Sequence, residues 1–284
     1  MSRGFAGVVR FFVYSNLFIC CCAVLMTWQA LYLFSASADV PALYGFVFAG
    51  TLCSYSFHWW LTPAGSAECS GDRGGWVSRY RPIHLFLLFA GLAGSIVFLF
   101  ALYEHAHWLV VAALITFLYS APKIPHPFFI ILQRIAIGKT FFLSLMWTFV
   151  TSVLPLLVTD TPWEIRSLFF AISRFFLVYA ICVLFDFRDR EQDKASRIRS
   201  LITYFSPQAV FRLFIFSLLL YAIFCLLPGA GLSSRLMLFQ LLPAMLLLAL
   251  YRYSIEKGGD LFYYLFLDGL MAASAALLLA DVLL

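Results

Sequence analysis

Charge is scarce in this 284-residue chain: Asp, Glu, Lys and Arg make up 12% of it, against 63% hydrophobic residues. Soluble domains carry roughly a quarter charged and half apolar residues, so water is excluded as the main solvent. Metal-binding cysteine patterns are missing too. Of the seven cysteines, Cys20, Cys21 and Cys22 form a run, Cys53, Cys69, Cys182 and Cys225 are scattered, and none makes a Cys-x-x-Cys spacing. Most fall in apolar stretches, where a free thiol packs as a small hydrophobe, which speaks against a disulfide framework or a zinc centre. The histidines are dispersed as well: His58 adjoins Trp59 and Trp60, while His105 and His107 flank a short turn. All read as anchors in the aromatic belt of a bilayer interface. No long internal repeat is evident.

What the chain has in abundance is apolar runs. A bilayer-spanning helix needs about 20 apolar residues, and nine stretches approach or exceed that length. They are residues 11–34, 42–61, 83–103, 108–121, 140–158, 167–185, 213–227, 236–251 and 261–284. The fourth is short, which suggests a tilted or partly re-entrant segment. The first follows Arg3 and Arg10 and precedes a Ser-Ala-Ser-Ala run, as a signal peptide would, but its length exceeds an ordinary signal core and it reads as a retained span. The expectation is one all-α, polytopic domain over residues 1–284 with about nine transmembrane helices.

Nine spans place the termini on opposite sides, and the Lys/Arg bias of the loops orients them. With the N-terminus in the cytoplasm, sixteen of nineteen basic residues fall on the inner side; Arg166 and Arg235 lie outside and Arg174 within a span. This alternation predicts that the polar face looks into the cytoplasm, and the expected setting is a bacterial inner (plasma) membrane. The net charge of +5 is accounted for by inner loops beside anionic lipid, with no nucleic-acid partner required.

One segment breaks the apolar pattern: Phe185-Asp186-Phe187-Arg188-Asp189-Arg190-Glu191-Gln192-Asp193-Lys194-Ala195-Ser196-Arg197-Ile198-Arg199-Ser200, at the inner end of the sixth span. If the helix continues, Asp186, Asp189 and Asp193 stand at i, i+3 and i+7 and share one face. Like charges so placed repel unless a cation offsets them, and hard oxygens at this spacing suit Mg²⁺ held jointly with substrate phosphates. Arg190 and Arg197 lie on the same face, and guanidiniums fork onto phosphate oxygens. A solvated loop in which these acids and bases pair with one another accounts for the same composition.

The Asp186-x-x-Asp189-x-x-x-Asp193 pattern, followed by Lys194 and Arg199-Ser200, resembles the second Asp-rich motif of UbiA-type intramembrane prenyltransferases. The stretches Leu118-Tyr119-Ser120-Ala121-Pro122-Lys123 and Gln133-Arg134-Ile135-Ala136-Ile137-Gly138-Lys139, with Trp147, are similar to that family's connection between its fourth and fifth helices. The resemblance implies a nine-helix bundle that transfers a prenyl group from a polyisoprenyl diphosphate to a lipophilic acceptor. It implies Mg²⁺ on Asp186, Asp189 and Asp193, and diphosphate contacts from Lys123, Arg134, Lys139, Arg190, Lys194 and Arg197. The family's first Asn/Asp-rich motif has no counterpart: its place reads Ser54-Tyr55-Ser56-Phe57-His58-Trp59-Trp60-Leu61, and the next acids are Glu68 and Asp72. Either one of those folds back, one metal suffices, or the chain is a non-catalytic or transport-type lipid-binding protein that retains the fold. A CDP-alcohol phosphotransferase is disfavoured, since the Asp-Gly and Ala-Arg elements of that motif are absent around Asp186.

Two expectations concern single elements. A charge inside a span needs a partner; Arg174 lies 12 residues outward of Asp186, Asp268 eight residues from Asp260, and the two are predicted to pair as a structural clamp. The Gly- and Ser-rich segment 65–75 reads as a flexible loop able to cover the site.

Overall fold

The computed structural model describes residues 3–34, 40–62, 71–124, 126, 139–195, 201–227 and 234–284, and among them every regular element is helical. In chain order the helices are α1 (Arg3–Tyr14), α2 (Leu17–Phe34), α3 (Pro41–Leu61), α4 (Asp72–Arg79), α5 (Arg81–Ala101), α6 (Ala106–Ser120), α7 (Lys139–Val158), α8 (Ile165–Ala195), α9 (Pro207–Leu226), α10 (Ser234–Lys257) and α11 (Phe262–Leu283). Eight of the described helices are long and apolar enough to cross a membrane. With the 21-residue α3 packed between α2 and α5, about nine spans result. The fourth apolar stretch is not re-entrant: 3₁₀ turns extend α6 at both ends, so the helical run covers Tyr103–Lys123.

Helices α2, α7, α8 and α11 form the inner ring, with α3, α9 and α10 packed against it and α5 and α6 outermost on one flank. The outer helices present large apolar side chains outward, as Phe86 (70% exposed) and Phe100 (72%) do on α5, which is expected where lipid replaces water. At Gly91, α5 passes so close to α3 that a Cβ would lie 2.6 Å from the Cys53 amide nitrogen and 2.8 Å from the Ala49 carbonyl oxygen. Only glycine permits that approach, the usual device for joining helices in lipid.

Two local features position the polar end. The first apolar stretch is not one helix: it breaks at Ser15 and Asn16, and Asn16 takes a left-handed conformation (φ 71°) that asparagine tolerates. Helix α8 has 31 residues, roughly 46 Å, against a hydrocarbon core of about 30 Å. Its last turns, from Asp186 onward, therefore project beyond the apolar zone as a helix rather than a loop. Arg235, which the Lys/Arg bias placed outside, pairs with Asp281 at 2.6 Å at the opposite end of the bundle.

The predicted Arg174–Asp268 clamp is not formed. Arg174, 1% exposed, points its Nη2 at Gln29 Oε1 of α2, Gln240 Oε1 of α10 (3.1 Å) and Ser274 Oγ of α11 (2.8 Å), with its guanidinium 4.8 Å from the Phe170 ring. Helical side chains tilt toward the N-terminus of their own helix, and α8 and α11 run in opposite directions. Arg174 therefore leans away from the Asp-rich end and meets Ser274, six residues or about 9 Å beyond Asp268.

Candidate functional site

The polar end is assembled by six helices, α3, α4, α6, α7, α8 and α11. Asp186, on α8, is buried and accepts a hydrogen bond from the Thr140 hydroxyl at the start of α7. Asp189, one turn later, is gripped by its neighbour Arg188, whose Nε donates at 2.7 Å and Nη2 at 3.2 Å. The same guanidinium donates to the Tyr264 hydroxyl at 3.2 Å, lies 3.6 Å from an Asp260 oxygen and stacks 4.4 Å from the Tyr263 ring.

Across the mouth, where carboxylates are missing from α3, stands an arginine. Arg73, only 3% exposed, donates from Nη2 to Asn16 Oδ1 at 2.7 Å, and Asn16 Nδ2 reaches Ser56 Oγ at 3.4 Å. Its guanidinium lies 3.8 Å from the Tyr264 ring centre and 4.5 Å from that of Trp59, each close enough for cation–π attraction. Asp260 accepts the Arg73 backbone N–H at 2.8 Å, setting a carboxylate at the N-terminus of α4, where the helix dipole favours it. Tyr264 thus lies between two guanidiniums, those of Arg73 and Arg188. Of the segment 65–75 read as a flexible loop, residues 71–75 instead form the Gly71 cap and the first turn of α4; residues 63–70, Glu68 included, lie outside the described residues.

His58 is not an interface anchor. It stacks on Tyr119 (centroids 5.4 Å apart) and its Nδ1 meets Ser120 Oγ at 3.4 Å, with Lys123, Lys139 and Arg73 all within electrostatic reach. Lys123 Nζ donates to Thr62 Oγ1 at 2.7 Å. His84 is also buried, under the Trp76 ring. Among the predicted diphosphate contacts, Lys123 and Lys139 therefore meet at the mouth, and Lys139 also lies within reach of Asp186. Lys194 turns outward to Glu191 at 2.8 Å, while Arg190 sits 3.7 Å from Glu191 with its guanidinium over Phe187. The side chain of Asp193, and Arg134 and Arg197, lie outside the described residues.

Asp186 and Asp189 are hard-oxygen donors one helical turn apart, the kind Mg²⁺ takes together with phosphate oxygens. Among the described residues no three His, Cys, Asp or Glu side chains gather as a metal cage. The pair therefore fits an ion shared with a phosphate ligand and does not fit an all-protein site. On the α3 side a metal does not fit: the Arg73 cation stands there, and Asp72 points outward, its side chain 73% exposed and 3.8 Å from Arg10.

Beside the mouth an apolar groove of about 480 Å³ opens between α3, α5, α6 and α7. Tyr55, Phe57, Phe117, Met146 and Trp147 are among its walls, and Trp147 Nε1 donates to the Tyr55 hydroxyl at 3.3 Å. Phe57 directly precedes His58, so the groove begins where the polar cluster ends.

The family resemblance implied Asp186, Asp189, Lys123 and Lys139. Arg73, Asn16, Ser56, Asp260 and Tyr264 escaped sequence reasoning; the one local signal was a lone Asn inside an apolar run.

A model of the UbiA prenyltransferase family matches residues 77–267, two thirds of the chain. The chain is similar to the apo structure of a UbiA homolog from Aeropyrum pernix K1, with a TM-score of 0.66 and 11% identity over 96% of this chain and 98% of that one, a likeness of fold. No curated protein sequence matches.

Proposed function

Because this chain belongs to the UbiA prenyltransferase family, we propose that it binds a polyisoprenyl diphosphate and transfers the prenyl group to a lipophilic acceptor within the membrane. The observation that carries this reading is the apolar groove ending at a mouth of mixed carboxylates and cations. The isoprenoid tail lies in the groove and the diphosphate at the mouth. Asp186, Asp189 and Asp193 would hold one Mg²⁺, which supplies positive charge to the phosphate oxygens. Lys123, Lys139 and Arg73 hold the diphosphate and stabilise the charge that builds on it as the C–O bond breaks. Arg134, Arg190, Lys194 and Arg197 are further proposed contacts. Tyr55, Tyr119 and Trp147 offer electron-rich faces to the allylic cation, and the apolar walls keep water from it. The mouth faces the cytoplasm, a reading supported by the Lys/Arg bias of the loops, in what we take to be a bacterial inner membrane.

The test is titration of the purified protein with geranylgeranyl diphosphate, with and without Mg²⁺. The expected result is binding that weakens about tenfold, about 1.4 kcal/mol, when Mg²⁺ is withdrawn or when Asp189→Ala or Asp193→Ala is introduced. A second reading, a lipid-binding or transport protein without catalysis, is favoured by Arg73 and the outward-facing Asp72 where a second carboxylate set would be needed. Binding indifferent to Mg²⁺ and to both substitutions, with no diphosphate released, would establish that reading instead.

A further inference from the structure

Asp268 is the buried-zone charge that neither the fold nor the diphosphate site uses. It sits eight residues along from Asp260, about 12 Å deeper than the mouth, immediately after a stretch of π-helix, Phe262–Leu267. Such π-helical stretches are frequent at functional positions. Leu267, Leu270 and Met271 around it are closed off, whereas Asp268 keeps part of its surface accessible. Cys22 of α2, Tyr55 of α3 and Cys182 of α8 lie within reach of its charge, as do Arg73 and Arg188 on the side of the mouth. Among the described residues no side chain donates a hydrogen bond to it or forms an ion pair with it.

A carboxylate at this depth costs a few kcal/mol, and without a hydrogen-bond donor it costs more. Among the described residues no hydrogen bond or ion pair gives it a part in holding the helices together. We propose that Asp268 is the residue that receives the acceptor substrate. A carboxylate accepts hydrogen bonds and donates none, so the matching ligand carries an O–H or N–H group on an apolar body. Tyr55 ties the two sites together, lining the prenyl groove while standing within reach of Asp268. Resting on the prenyl-transfer reading above, the step follows. The C1–O bond of the prenyl diphosphate breaks with its electron pair on the diphosphate, the acceptor heteroatom bonds to C1, and the proton it loses passes to Asp268.

The experiment uses the full chain in lipid nanodiscs and two probes that differ only in the donor, 4-nonylphenol and its methyl ether, titrated by tryptophan fluorescence. The phenol binds at least tenfold more tightly to the unaltered protein, Asp268→Leu brings the ratio below twofold, and the unfolding temperature of that variant stays equal or rises. Equal binding of both probes by the unaltered protein overturns the proposal. So does a phenol preference that survives in Asp268→Leu, or a fall of several degrees in its unfolding temperature, which would mark a structural role. Geranylgeranyl diphosphate binding is measured in parallel; its absence would remove the prenyl-transfer reading while the phenol comparison still decides the acceptor site.

Discussion

Arg174 on α8 and Asp268 on α11 are both ionisable side chains deep in the bundle, and their surroundings are opposite. Arg174 is closed in by oxygens from α2, α10 and α11 and by an aromatic ring, so it ties four helices together. Asp268 keeps part of its surface accessible and has no donor among the described residues. A charge whose neighbours were built around it serves the fold, and a buried-zone charge given no hydrogen-bond donor among the described residues serves something that comes and goes. Neutral oxygens hold the Arg174 Nη2 without a counter-charge, which leaves the carboxylate available.

Substitutions can break this contrast. The largest effect is expected at Arg174→Leu, which strands Gln29, Gln240 and Ser274 without their shared donor; about 3 kcal/mol should be lost, visible as lower folded yield and unfolding temperature in detergent. Gln240→Leu removes one of three acceptors and should cost about 1 kcal/mol alone. Added to Arg174→Leu, it should cost less than alone, because its partner is already gone; a double-mutant cycle on thermal unfolding measures that coupling. The smallest effect belongs to Arg235→Ala at the far end. Its pair with Asp281 is exposed, and its loss should stay below about 0.5 kcal/mol and vanish in high salt. Asp268→Leu should depart from this ladder in sign, leaving stability unchanged or raised.

The class of fold was legible because lipid demands a long apolar run for every span, and such runs survive any detail of packing. The Asp-rich face was legible for a related reason: its residues are neighbours on one helix, and α8 carries that helix to Ala195 as the spacing required. Arg73 was not. Its partners Asn16, Trp59, Asp260 and Tyr264 come from three other parts of the chain, and no local spacing announces a contact between residues 16 and 73 or 73 and 260. The Arg174–Asp268 pairing failed on geometry, since axial depth counted residues but ignored that antiparallel helices tilt their side chains in opposite directions. The break at Asn16 hid because its flanks are apolar enough to read as one helix.

The two sides of the mouth extend the same contrast. On α8 the acids at 186 and 189 stand one turn apart, where an ion and a diphosphate can share them. On the α3 side a guanidinium wedged between Trp59 and Tyr264 supplies fixed positive charge in their place.

Photolabelling with a prenyl diphosphate carrying a diazirine at the far end of its tail tests most directly where the lipid lies. Peptides from α3, α5, α6 and α7 that wall the groove should carry the label, and excess unlabelled geranylgeranyl diphosphate should suppress it. Label spread over the lipid-facing surfaces of α9 and α10, unaffected by competitor, would contradict the account.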